Sequence, residues 1–202
     1  ERSRALPQKR DVDLADVPET INSLQSLLQL YPIAVANTDD VKDRPLPASH
    51  IGAASQITVA LTKNGKFAGA YANTDDDMAT AIPVTIESAS RTSAPVPNFL
   101  TEKLEYLCGE SSTPKNDAYI QQLNELNNPP EAVCTIKNYL LTKTLSNDIA
   151  FLCDENGYVL NSKVAFKDAI IRFLVDDVKT WEDPKLQEYF DSIASARVTQ
   201  QG

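Results

Sequence analysis

Histidine and cysteine are the side chains that most often do acid–base or nucleophilic work near neutral pH. This chain has one histidine, His50, and three cysteines, Cys108, Cys134 and Cys153. A Cys–His hydrolase is therefore the sharpest enzymatic reading, with the chain order His50, a carboxylate such as Asp76, then one of the cysteines. Catalytic order differs between folds, so order alone argues little. The surroundings argue against it. No small-residue turn flanks any cysteine, and Cys108 precedes Gly109 at an expected helix C-terminus. The dipole there is negative and raises a thiol's pKa. Each cysteine sits among apolar neighbours, as a buried free thiol does. A single disulfide is the next reading, and the odd count leaves one thiol unpaired or shared between chains.

Other chemistries find less. The cysteines lack paired spacing and no His-x-x-x-His or His-Glu-x-x-His occurs, so no zinc site is expected. Gly-x-Ser-x-Gly is missing, and of the six glycines only Gly65 and Gly69 lie close together. That excludes nucleotide-binding glycine loops. Asp39-Asp40 and Asp75-Asp76-Asp77 offer carboxylate oxygens for Ca²⁺ but lack the alternating acids and glycine of an EF-hand. They read as solvated turns. A two-carboxylate glycosidase would stack sugars on aromatics, and aromatics make up only 7% of the chain, with Trp181 the single tryptophan. Trp181 reads as a core anchor between the last two helices. The sequence thus nominates no catalytic, cofactor-binding or metal-binding residue, and no cofactor.

Charge restricts partners. Nineteen basic against 28 acidic residues give a formal net charge of −9, which repels phosphate backbones, so nucleic-acid binding is not expected. The only basic cluster is Arg2, Arg4, Lys9 and Arg10. No apolar run reaches the ~18 residues of a membrane span. The chain begins at Glu1, and Lys9-Arg10 is a dibasic pair in a polar stretch. A processed N-terminus is one reading, with secreted, organellar or virion placement open.

The elements that would carry these residues follow from periodicity. Residues 1–16 read as a flexible arm and 17–202 as one α+β domain, with possible β-rich (17–91) and α-rich (97–202) subdomains. Asp16 and Pro18 start a helix carrying Ile21, Leu24, Leu27, Leu28 and Tyr31, and Pro32 stops it. Residues 37–50 read as a loop. Gln56 to Thr62 and Phe67 to Ala72 form a hairpin about Lys63-Asn64-Gly65. A third strand over 80–88 contains Pro83, which cannot donate a ladder bond and so marks an edge. Helices are expected over 98–107, 115–127, from Pro129-Pro130 to about 141, 163–178 and 183–195. A second hairpin is expected over 149–160, turning at Asp154-Glu155-Asn156-Gly157. The order lacks βαβ alternation, which argues α+β: a small antiparallel sheet with a helix-rich C-terminal half. Ala36-Asn37-Thr38-Asp39-Asp40 recurs as Ala72-Asn73-Thr74-Asp75-Asp76, an echo that could mark a duplicated strand–turn unit.

With so little chemistry on offer, the expected role is non-catalytic: a structural, assembly or protein-interaction component acting through surfaces and its arm. Its partners would be another protein or a second copy of itself. A small hydrolase and a small-ligand carrier are the alternatives; the carrier would need a large apolar cavity.

Overall fold

The computed structural model describes residues 46, 49–90, 95–108 and 113–200. The expected arm, the helix before Pro32 and the first copy of the echo lie outside them. The fold is α+β, with two sheets and a helical C-terminal half. β1 (His50–Ala54) and β4 (Ala79–Pro83) form an antiparallel pair, with His50 opposite Pro83. The larger sheet runs β3 (Phe67–Ala72), β2 (Ile57–Leu61), β6 (Ile170–Val175), β5 (Glu102–Lys103), and β7 (Val178–Lys179) also pairs with β6.

The β2–β3 hairpin is where its turn residues place it. Gly65 takes φ of 76°, a conformation that suits glycine, and a Cβ there would lie 3.3 Å from the Thr135 carbonyl oxygen. The turn thereby rests on a neighbouring helix.

Several expectations are corrected. The expected small antiparallel sheet is present as β1–β4, and the larger sheet is mixed, because β6 runs parallel to β2, pairing Ile57 with Ile171 and Leu61 with Val175. The stretch expected as a helix over 163–178 is a 3₁₀ turn (Phe166–Asp168) followed by β6. Its apolar run satisfies helical spacing, but β6 lies between two strands and is buried on both faces, where any apolar spacing serves. Ile171, Phe173 and Val175 face the main core; Arg172 and Leu174 face the other side. The third strand stops at Pro83, and residues 86–89 form a one-turn helix, α1 (Ile86–Ala89). Thr85 and Ser88 cap it reciprocally: Ser88 N donates to Thr85 Oγ1 and Thr85 N to Ser88 Oγ. Among the described residues Pro83 sits on an edge, since β1 and β4 are the two strands of their sheet there. The helix expected over 98–107 shrinks to α2 (Leu104–Leu107), because Glu102 and Lys103 pair with β6.

The remaining helices match their signals. α3 (Pro114–Asn124) starts as its sequence demands: Thr113 Oγ1 accepts from Asn116 N at 3.2 Å and Pro114 opens the first turn. α4 (Glu131–Leu140) buries Val133, Ile136 and Tyr139 on one face. α6 (Pro184–Gln200) closes the described chain and buries Leu186 and Phe190. Between them, α5 (Leu145–Asp148) and a 3₁₀ turn (Ala150–Leu152) replace the first strand of the expected second hairpin. Of the hairpin there remain its turn, one bridge between Cys153 and Val159, and the backbone bonds from Asp154 N to the Tyr158 carbonyl and from Leu160 N to that of Leu152. One continuous cluster of buried side chains runs from Ile57 on β2 to Phe190 on α6.

Candidate functional site

Two polar constellations stand out, and each is assembled from distant parts of the chain. In the first, Arg172 projects from β6 with no exposed surface. Nε donates to Thr58 Oγ1 at 2.9 Å, Nη1 to Thr80 Oγ1 at 3.2 Å, and Nη2 to Asp77 at its carbonyl oxygen (2.6 Å) and at Oδ2 (3.0 Å). The guanidinium lies 4.0 Å from the centroid of the Trp181 ring, a cation–π contact in a desolvated setting. Burial lowers the Arg172 pKa, and the Asp77 charge opposes that shift. The guanidinium's planar fork of donors matches this set of acceptors, which a lysine could not. Because Thr58 is on β2 and Thr80 on β4, Arg172 ties the large sheet to the small one. Trp181 is a core anchor, as its sequence position indicates, but the charge it covers was not foreseen. One signal was available: a lone arginine inside Ile170-Ile171-Arg172-Phe173-Leu174-Val175.

The second constellation contains His50. Its side chain is 2% exposed, and Nδ1 lies 3.3 Å from Asp191 Oδ1 on α6. The contact is within ion-pair range but lacks hydrogen-bond geometry, since Asp191 Oδ1 has no hydrogen-bond partner among the described residues. The carboxylate beside His50 is thus Asp191, not Asp76, which lies exposed in the turn after β3. None of the cysteines forms a disulfide. Cys108 Sγ is 2.8 Å from Ser146 Oγ, Cys153 Sγ is directed at the Asp154 carbonyl oxygen, and Cys134 is exposed on α4 rather than buried. Among the described residues, no group of three or more His, Cys, Asp and Glu side chains could hold a metal ion.

A strained corner lies between β4 and α3. Leu100, 3% exposed, has φ of 60°, and Thr101 N donates to the Phe99 carbonyl oxygen at 2.6 Å. That is a tight three-residue turn which a bulky side chain adopts only under constraint. The constraint is visible. Tyr119 OH donates to the Leu100 carbonyl at 2.9 Å, Gln122 Nε2 to that of Pro97, and Phe99 N to that of Pro83. Buried Glu102 accepts from Asn98 N and Lys103 N. Asn98 Oδ1 and Gln122 Oε1 are buried without a hydrogen-bond partner among the described residues.

Burial pushes the Tyr119 phenol well above its ordinary value of 10.0, and the Glu102 charge adds to the shift. Tyr139 is raised too, by burial first and then by its hydrogen bond to Asp148. In the fold these phenols keep their protons where the unfolded chain loses them. Stability should therefore be full below about pH 10 and fall as the pH rises above it. Melting temperature measured across that range should show the decline, and Tyr119→Phe should flatten it; an identical slope in the variant would contradict the assignment.

No helix among the described residues is long and apolar enough to cross a membrane. No curated protein matches the chain. Residues 27–202, most of its length, match the family described as CRISPR-associated protein (Cas_Csd1). The chain belongs to the Cas_Csd1 family of CRISPR-associated proteins.

Proposed function

We propose that this chain serves its CRISPR-associated system as a non-catalytic component that docks onto a protein partner through its surface, with residues 17–202 acting as one unit. The observation that supports this reading is an apolar surface on residues 150–160. Phe151 is 60% exposed, Tyr158 42% and Leu160 37%. Isolated exposed apolar residues are ordinary; three of them on one short unit support a contact surface there.

The backbone of this unit is closed by its own hydrogen bonds. Asp154 Oδ1 accepts from the backbone N–H of Asn156 and of Tyr158, Asp154 N donates to the Tyr158 carbonyl, and Leu160 N to that of Leu152. Gly157 supplies the left-handed residue of the turn, at φ of 83°. A backbone closed this way loses little freedom on binding, which favours a docking surface. The formal charge of −9 leaves contacts with phosphate backbones to a local basic patch or to other components.

Co-expression with the proteins encoded alongside it should yield a complex of fixed stoichiometry by native mass spectrometry. Phe151→Asp with Leu160→Asp should weaken that complex by at least about 30-fold, the scale of a ~2 kcal/mol contact at an interface centre. Unchanged affinity in the variant would overturn the assignment of this surface.

A further inference from the structure

β3 ends the larger sheet among the described residues. Soluble proteins usually guard such an edge with charges, prolines or bulges. Residues 67–73 carry no charge and no proline, and the one irregularity is a register shift at Ala60/Leu61 near the start of β3.

The charges sit at the two ends of the strand, and they are of opposite sign. Lys63 and Lys66 precede β3 and Asp75 and Asp76 follow it, all four exposed. Lys63 has only a 4.0 Å contact to Glu131, both side chains mostly exposed. Lys66, Asp75 and Asp76 form no ion pair among the described residues. Asp77 differs, since Arg172 holds it.

From this pattern we infer that β3 pairs antiparallel with β3 of a second copy of the chain, joining two sheets across a twofold axis. Antiparallel self-pairing brings the lysine end of each strand to the aspartate end of the other, and it does so even if the register moves by a residue. Parallel pairing would stack like charges. A twofold interface is self-complementary by construction, so one patch bearing both signs suffices. The strand-to-strand hydrogen bonds supply the affinity in this mode of recognition. The overall negative charge of each copy opposes association at long range, but at physiological salt that repulsion is screened beyond about 8 Å, while the paired ends are in contact. The inference concerns the isolated chain and is independent of any other protein it docks with.

Sedimentation of the 202-residue chain alone, across concentrations into the high micromolar range, tests it. The wild type should move from monomer to dimer. Lys63→Glu with Lys66→Glu should stay monomeric, and so should Asp75→Lys with Asp76→Lys. An equimolar mixture of these two variants should recover the dimer mass, because each then meets opposite charge at both ends. A wild type that stays monomeric throughout would overturn the inference. So would a dimer indifferent to both variants, or a monomer whose outer β3 amides resist hydrogen exchange, which would mean another segment of the chain covers the edge.

Discussion

Arg172→Ala should cost about 3–5 kcal/mol of folding stability, the range for breaking one side of a buried pair. The loss has three sources on the structure. The hydroxyls of Thr58 and Thr80 lose a donor, the Asp77 carboxylate loses its partner, and Trp181 is left over a void. Arg172→Lys should recover only part of this, because a single ammonium cannot reach acceptors on β2 and β4 together. Asp77→Asn should be milder, as its side chain is 21% exposed and the amide oxygen can still accept. Denaturant unfolding of the variants and of the Arg172→Ala/Asp77→Asn double variant would measure the coupling. A loss below about 1 kcal/mol for Arg172→Ala would place this network among surface-like ion pairs and refute its role in joining the sheets.

Phe173→Ala should be of similar size, about 3–5 kcal/mol for deleting a fully buried ring. Phe173 stands on the central strand directly opposite Val59 of β2, and its ring has no exposed atom through which a cavity could open to water. Phe173→Leu should cost much less, since most of the volume is kept. This pair tests the strand assignment too. In the helix that periodicity suggests for 163–178, Arg172 would point away from the buried face and could be replaced at little cost. Two large and independent losses at adjacent positions fit only an element buried on both faces.

What could be read from the sequence is what local chemistry specifies. The Asn64-Gly65 turn fixes the β2–β3 hairpin. Thr113-Pro114 fixes the start of α3. The spacing of Val133, Ile136 and Tyr139 fixes the buried face of α4. What could not be read depends on partners far along the chain. β6 is a strand because β2 lies beside it, and Arg172 is satisfied from Thr58, 114 positions away. β1 carries no local signal, because His50-Ile51-Gly52-Ala53-Ala54 has no alternation, and only the register with β4 makes it a strand. The site shows the same division. The scarcity of chemistry-bearing residues is plain from composition, whereas the meeting of His50 with Asp191 is created by the packing of α6 against β4, the partner strand of β1. In the sequence alone, residues 149–160 have the pattern of an ordinary hairpin. Burial alone distinguishes Phe151, which faces out, from Leu152, which does not.

The proposal that surfaces rather than side-chain chemistry do the work can be tested in the intact CRISPR-associated system. The measurement is its activity in cells carrying the chain as Cys108→Ser/Cys134→Ser/Cys153→Ser, as His50→Asn, or as Phe151→Asp/Leu160→Asp, each confirmed folded by its melting transition. The account predicts near wild-type activity for the thiol-free and His50 variants and loss of activity for the surface variant. A thiol-free or His50 variant that assembles normally but loses activity, beside an active surface variant, would contradict it.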